Sequence, residues 1–316
     1  MNLRFEKIHG AGNDFVVVDA RDAAGVSWTE LAQRVCDRHR GIGADGVLAV
    51  GPSALGDLRM RLYNADGSEA EMCGNGIRCT AKFALDAGLT ERTVLDWETG
   101  AGIIRTEVLE RDGARASVRV DMGPPRFSPE EIPVARGGDG EPGARLAPAR
   151  VDGRDLEVAR VGEGRAASDG VEGLELWCVG MGNPHAVAFV ADVAAFPLAR
   201  VGPRVERHPA FPARTNFEIV QRLAPDRLRM RVWERGVGET LACGTGACAA
   251  AVAARLALAT PARVEIEPPG GRLEVAWSPG GPAWLTGPAE TVFSGEIDLA
   301  GLGVQQLVPA AGAGDR

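Results

Sequence analysis

Two stretches of the chain place a cysteine directly before a glycine-rich turn: "EMCGNGIRC" at 71–79 and "LACGTGAC" at 241–248. Each Cys-Gly-x-Gly opens a run that reads as a helix, "TAKFALDAGL" after the first and "AAAVAARLALA" after the second. A cysteine at a helix N-terminus is expected to titrate low, its pKa drawn from about 8.5 toward about 3.5–7.5, because the dipole favours thiolate. The glycines let the backbone approach a ligand and present its N–H groups. Two such helix ends, each with roughly half a positive charge, match one carboxylate. Cys73 and Cys243 on opposite faces of one carbon could then invert its configuration. One thiolate removes the α-proton, the opposing thiol returns a proton to the other face, and the carboxylate held at the helix ends takes the developing charge. Such a reaction calls for no metal and no cofactor.

Other uses of these cysteines stand beside this one. A small residue next to a glycine turn is often simply buried. A zinc site from Cys73, Cys79, Cys243 and Cys248 would use C-x5-C and C-x4-C, wider than structural zinc spacings. A Cys73–Cys243 redox disulfide and a non-catalytic binding cleft are further alternatives. Neither turn carries the lysine of a P-loop. Cys79 and Cys248 fall inside the helices and out of register with each other, and together with Cys36 and Cys178 read as inert core residues.

The chain repeats itself. Cys73 and Cys243 stand 170 positions apart, and at that offset "LRMRLYNADGSEAEMCGNGIR" (58–78) lies on "LRMRVWERGVGETLACGTGAC" (228–248) with eight identities. The same offset sets "GNDFVVV" (12–18) on "GNPHAVA" (182–188) and "ADGVLAV" (44–50) on "RTNFEIV" (214–220). Strands are expected at "VVVD", "RMRLY", "AVAFV", "FEIV" and "LRMRVW", and each Cys-Gly-x-Gly follows a strand and a polar loop. The expected fold is α+β: two pseudo-symmetric domains, each a mostly antiparallel sheet wrapped around a central helix, with the active site in the cleft between them. The first domain is placed at 1–128, joined by a returning segment at 289–300. The second is placed at 129–288, carrying a Gly/Arg/Pro-rich insertion at 134–172 expected to be partly ordered, with a short strand or two, and read as surface. The remainder, 301–316, reads as a tail.

Composition narrows the function. The 316 residues carry a formal net charge of −8, and the acidic pI of about 5.2 argues against a nucleic-acid partner. The N-terminal "MNLRFEKIHG" is charged and reads as a strand, not a leader. The alanine-rich run at 247–259 contains Arg255 and is too short to span a bilayer. The cytoplasm is the expected compartment, where six cysteines stay reduced. Lys7 and Lys82 are the only lysines, which disfavours Schiff-base chemistry.

The stretches "KIHGAGNDF" (7–15), "GIGADG" (41–46), "NADGSEAEMCGNGIRC" (64–79), "MGNPHAV" (181–187), "RTNFEIV" (214–220) and "ERGVGETLACGTGAC" (234–248) together resemble the diaminopimelate epimerases, cofactor-independent isomerases. The resemblance spans nearly the whole chain, in order. It implies interconversion of LL- and meso-2,6-diaminopimelate, in lysine and peptidoglycan precursor biosynthesis, with Cys73 and Cys243 as the catalytic pair. The substrate ligands it implies are the side chains of Asn13, Asn64, Asn183, Asn216, Glu234 and Arg235, and the backbones of Gly74, Asn75, Gly244 and Thr245. His185 and Glu234 match residues that tune the cysteines. Asn13/Asn183 and Asn64/Glu234 are register pairs, so both halves supply equivalent positions. Glu234 can take an ammonium, Arg235 a distal carboxylate as a bidentate pair, and the asparagines either. Some members of the family carry glutamine where this chain has Gly46, the register partner of Asn216. Proline racemase-like and phenazine-pathway isomerase-like proteins share the family's fold, so a racemase acting on proline or hydroxyproline is the alternative within the class. Domain closure around the substrate and a homodimer are further implications of the resemblance.

Overall fold

The structure, a computed structural model, describes residues 2–137, 144–161 and 174–304. In chain order the elements are β1 (Asn2–Gly10), β2 (Asn13–Asp19), α1 (Trp28–Val35), β3 (Gly46–Gly51), β4 (Leu58–Asn64), β5 (Glu69–Ala70), α2 (Gly74–Asp86), β6 (Val94–Thr99), β7 (Gly102–Asp112) and β8 (Arg115–Asp121). There follow β9 (Arg145–Val151), β10 (Arg154–Val161), β11 (Leu176–Gly180), β12 (Pro184–Phe189), α3 (Leu198–Glu206), β13 (Asn216–Ala224), β14 (Arg227–Glu234), β15 (Gly238–Thr240), α4 (Gly244–Leu258), β16 (Arg263–Glu267), β17 (Leu273–Ala276) and β18 (Trp284–Asp298). Two compact units result, Met1–Arg119 with Pro288–Arg316, and Val120–Gly287. No helix of the described residues is long and apolar enough to cross a membrane.

In the first unit β1 runs antiparallel to β2 on one side and to the end of β18 on the other. β2 is parallel to β3, β3 antiparallel to β4, β4 parallel to β6, and β6 antiparallel to β7. Parallel neighbours need a crossover; α1 occupies that between β2 and β3, and α2 that between β4 and β6. The second unit repeats the scheme. β11–β12 are antiparallel, β12–β13 parallel around α3, β13–β14 antiparallel, β14–β16 parallel around α4, and β16–β17 antiparallel. The register repeats too: Phe15 lies opposite Gly46, and His185 opposite Asn216, 170 positions on. Even the ion pairs recur. Arg61 grips Glu69 with two bonds of 2.8 Å, and Arg231 grips Glu239 at 2.7 and 3.0 Å, tying β4 to β5 and β14 to β15.

Residues 74–84 of α2 are buried on every side, and α4 is nearly so. A helix without a solvent face belongs inside its sheet, and the small residues of "GTGACAAAVAA" let strands close around α4. Arg78, fully buried in α2, donates to Gly74 O (3.0 Å), Asn75 Oδ1 (2.9 Å) and Pro288 O (3.2 Å), so its charge is hydrogen-bonded rather than stranded. On the other face of each sheet a second core forms. Leu31, Ala32 and Val35 of α1 pack with Val16, Val18 and Val47, and Leu198, Val201 and Val205 of α3 with Phe217 and Ile219.

The reading of 134–172 as surface needs correction. Its described part forms the β9–β10 hairpin, turning at Asp152-Gly153 with both residues at positive φ, the pairing that suits a two-residue hairpin. Ala144, Ala159 and Val161 join the second unit's core, and Asp152 accepts from Arg255 of α4 at 2.6 Å. Residues 138–143 and 162–173 of that stretch, and the tail beyond Val304, lie outside the described residues.

Gly46 sits where β3 meets β4. A Cβ there would come 2.7 Å from the backbone oxygen of Tyr63 and 3.1 Å from Leu62 Cδ1. The leucine can rotate, but the carbonyl of a paired strand cannot. Gly46→Gln is therefore expected to destabilise by roughly 1–3 kcal/mol through overpacking, lowering the thermal midpoint by roughly 2–10 °C. An unchanged midpoint in a thermal melt would show that the β3–β4 pair has room for a side chain.

Candidate active site

Each catalytic candidate is the N-cap of its unit's central helix. Cys73 (φ −139°, ψ 120°) and Cys243 (φ −125°, ψ 117°) have nearly the same extended backbone, and each Sγ accepts from the N–H three residues on, Gly76 or Gly246, at 3.4 Å. The first N–H groups of a helix have no partner inside it. Sulfur here takes the place serine or aspartate oxygen usually holds. Side chains from the strand beneath crowd the third residue, which is glycine in both helices. A Cβ on Gly76 would meet Leu48 Cδ2 at 3.2 Å, and one on Gly246 would meet Glu218 Oε1 at 2.7 Å.

Around Cys73 the first unit places Asn13 and Asn75. Asn13 Nδ2 donates to Asp45 Oδ2, which turns its Oδ1 toward Cys73 Sγ (3.5 Å) and Asn75 Nδ2 (3.4 Å). Asp45 is in turn held by Arg38 at 2.8 Å, Arg38 by Asp14 at 2.7 Å, and Asp14 by Lys7 at 2.6 Å. Burial alone would raise the carboxyl of Asp14. Hydrogen bonds from Arg38 and Lys7, and their charges, overcome this and bring its pKa down to about 2. Asn64 lies at the exposed end of β4 and donates to Ser68 Oγ at 3.0 Å.

Around Cys243 the second unit places a more charged set. His185 and Glu218 are fully buried, with Nδ1 of the ring 2.7 Å from Glu218 Oε1. The other nitrogen, Nε2, lies 2.9 Å from Asn183 Oδ1. Asn183 Nδ2 donates to Thr245 Oγ1 at 3.4 Å, and Thr245 Oγ1 stands 3.4 Å from Cys243 Sγ. Glu234 accepts from Thr240 Oγ1, and its carboxyl is raised, chiefly by burial.

The expectation of a low-titrating thiol at each helix end is corrected at Cys243. Burial pushes this thiol well above its ordinary value, Glu234 and Glu218 add to the rise, and hydrogen bonds from Thr245 and Gly246 N–H oppose it without reversing it. Desolvation and two carboxylates outweigh the helix end. Cys36, Cys79 and Cys178 are pushed up to about 12 by burial, as suits inert core positions.

Asn216 is turned to the backbone: Nδ2 donates to Pro184 O and Oδ1 accepts from Arg235 N, both at 2.9 Å. It thereby fixes the start of the loop that exposes Arg235, whose Nη1 reaches Ala213 O at 3.1 Å. Glu206 of α3 holds the same loop from below, accepting from Trp233 Nε1 (2.8 Å) and Gly236 N (3.1 Å). Glu206 and Glu218 are absent from the residues expected above. Glu218 had a signal, a lone charge inside the apolar strand "NFEIV" at the register position of Leu48. Glu206 had none.

The fold recurs in proteins of very different sequence. A phenazine biosynthesis protein of the PhzF family from Bacillus anthracis superposes with a TM-score of 0.65 at 17% identity, covering 94% of this chain and 99% of its own. A hydroxyproline epimerase from Agrobacterium vitis does so at 0.60 and 16%, covering 94% and 92%. Sequence comparison is more specific. The diaminopimelate epimerase family pattern matches residues 5–128 and 177–292. The diaminopimelate epimerase of Synechococcus elongatus is 48% identical over 304 residues, 95% of this chain and 100% of that protein. The one from Acetivibrio thermocellus is 44% identical over 298 residues, covering 94% and 99%. The chain belongs to the diaminopimelate epimerase family.

Two outcomes follow from the geometry. Cys243→Ser keeps an N-cap acceptor and is expected to match the wild-type urea midpoint, whereas Cys243→Ala, lacking one, should lose about 1 kcal/mol; equal midpoints would mean the sulfur does not cap. Asp14 has a depressed folded pKa, so its contribution to stability is fully present above its unfolded value of about 4 and is lost as pH falls through about 2. The stability gap between wild type and Asp14→Asn should accordingly be widest at pH 5 and above and shrink toward pH 2. A gap that grows on acidification would contradict the Lys7–Asp14–Arg38 network.

Proposed function

We propose that this protein is a diaminopimelate epimerase that interconverts LL- and meso-2,6-diaminopimelate by proton transfer between Cys73 and Cys243. The observation that carries this reading is the pair of thiol-capped helices, built alike in two units of a chain belonging to that family. The reaction asks for an acid and a base on opposite faces of one α-carbon, and the two caps are the groups of this chain suited to supply them. Cys243, raised by burial and by Glu234 and Glu218, rests as the thiol and donates. Cys73 removes the proton, and in the reverse direction the roles exchange.

The α-carboxylate sits against the N–H groups of Gly74, Asn75, Gly244 and Thr245, where the helix ends stabilise the charge that develops as the α-proton leaves. Asn13, Asn64, Asn183 and Glu234 are assigned to the polar groups of the substrate, and Arg235 to its distal carboxylate. Asn216 serves by presenting Arg235. The setting is lysine and peptidoglycan precursor biosynthesis in the cytoplasm, with a homodimer as the working assembly.

Proton NMR of LL-diaminopimelate with the purified protein in D2O tests the reading. The α-proton signal should disappear and the meso isomer appear without added cofactor. Cys73→Ser and Cys243→Ser should each slow epimerisation by on the order of 10²–10⁴-fold, with the capped helices intact. Wild-type turnover by the double variant, or exchange with proline but not with diaminopimelate, would overturn it.

A further inference from the structure

Two side chains hold the turn that carries Arg235. The turn closes with Val237 N donating to Glu234 O at 3.1 Å, and Gly236 takes a positive φ of 77°. Its two central N–H groups take no part in that bond, and each meets a side-chain oxygen. Arg235 N donates to Asn216 Oδ1 at 2.9 Å, and Gly236 N to Glu206 Oε1 at 3.1 Å. Asn216 opens β13, whereas Glu206 is the last residue of α3. The other oxygen of Glu206 accepts from Trp233 Nε1 at 2.8 Å, and Arg214 Nη1 stands 3.6 Å from Oε1. Indole and peptide N–H groups can only donate, so the direction of each of these bonds is set by the donors alone.

The corresponding turn of the first unit is built differently. It closes with Gly67 N donating to Asn64 O at 2.9 Å, and at the offset of 170 it has Ala65 where the second unit has Arg235. The positions of Asn216 and Glu206 are Gly46 and Cys36, neither of which bears a side-chain oxygen. Gln33 of α1 steadies that turn instead, donating to Asp66 O at 2.7 Å. The two side-chain acceptors therefore accompany the arginine. Glu206 also occupies a place that disfavours it, since it is buried and stands at the C-terminal end of a helix, where the dipole opposes negative charge. Packing alone would be met by a small apolar residue, as Cys36 shows in the first unit.

We propose that Glu206 is a positioning residue for Arg235: it pins the β14–β15 turn so that the guanidinium is held for the substrate's distal carboxylate. The proposal rests on the reading of Arg235 as the partner of that carboxylate. Glu206 fixes the peptide that follows Arg235, and through Arg214 it reaches the segment whose Ala213 carbonyl braces the guanidinium at 3.1 Å. A side chain held in place before the substrate arrives loses less freedom on binding it.

The test pairs steady-state kinetics on diaminopimelate with trypsin cleavage at Arg235–Gly236, mapped by mass spectrometry on the full-length protein. Glu206→Ala should raise KM about tenfold, the size of one lost hydrogen bond to a charged group, and leave kcat within about twofold. It should also speed cleavage after Arg235 about tenfold relative to the other arginine sites of the same unit, because proteolysis follows the population of the opened turn. Arg235→Ala should raise KM at least as much, and adding Glu206→Ala to it should change KM no further. A merely structural defect would lower kcat or the yield of folded protein, and would add to Arg235→Ala. Should Glu206→Ala fail to fold, Glu206→Gln, which keeps the volume and one acceptor, takes its place with the same signs of change. Wild-type KM in a folded Glu206 variant, beside a raised KM in Arg235→Ala, would overturn the proposal, as would unchanged cleavage after Arg235 or additive effects on KM. Wild-type KM in Arg235→Ala would instead overturn the assignment of Arg235 itself, and the proposal with it.

Discussion

Much of this structure depends on a sulfur atom accepting a backbone hydrogen bond. The opening N–H groups of a helix need an acceptor from outside it, and in both units a cysteine supplies one at 3.4 Å. The sulfur is thereby fixed relative to the remaining N–H groups of the first turn, the groups to which the proposed function assigns the carboxylate. Glycine at the third position is the second constraint, since a Cβ there would meet Leu48 in one unit and Glu218 in the other. Burying the helix on all sides is the third. A helix that could rock on its sheet would carry the thiol with it.

The halves share a scaffold but not an environment. In the proposed reaction the two thiols must be in opposite protonation states at the same moment, so identical surroundings would work against the pair. Duplication supplies the geometry, and substitution at a few register positions supplies the difference. Cys243 stands beside Glu234 and a buried histidine–carboxylate pair. Cys73 faces an asparagine whose orientation is set by Asp45. In the first unit an ionic chain runs from Lys7 through Asp14 and Arg38 to Asp45. It carries no reactive group of its own, yet it decides which end of Asn13 meets the sulfur.

The repeat was legible in sequence because equal crossovers keep equal spacing, and identities such as Arg61/Arg231 and Glu69/Glu239 mark an ion pair that each unit needs. The strand-to-helix turns were legible from Cys-Gly-x-Gly. A short strand or two was legible within 134–172, but its packing into the second unit's core was obscured because Gly, Arg and Pro dominate the stretch, although "VDGRD" contains the turn of the β9–β10 hairpin. The state of Cys243 could not be read locally: a helix end is a property of the sequence around residue 243, whereas the burial that chiefly outweighs it comes from the packed unit, and the carboxylates that add to it arrive from β13 and β14. Glu218 looks like an irregularity in a buried strand until the ring of His185, from the neighbouring parallel strand, is placed 2.7 Å from its carboxylate.

The first unit is not contiguous in the chain. β1 has β2 on one side, but its other partner is β18, whose pairing runs from Glu290 to Asp298. During synthesis from the N-terminus, β1 presents an open edge until the whole second unit has been made. At typical ribosomal speeds that interval is on the order of ten seconds. An unpaired edge is a template for association with other chains, so the arrangement makes the newborn protein dependent on whatever shields that edge in the cell. It also makes the last strand the one that completes the first-made unit, so a chain truncated before β18 would leave β1 without its second neighbour.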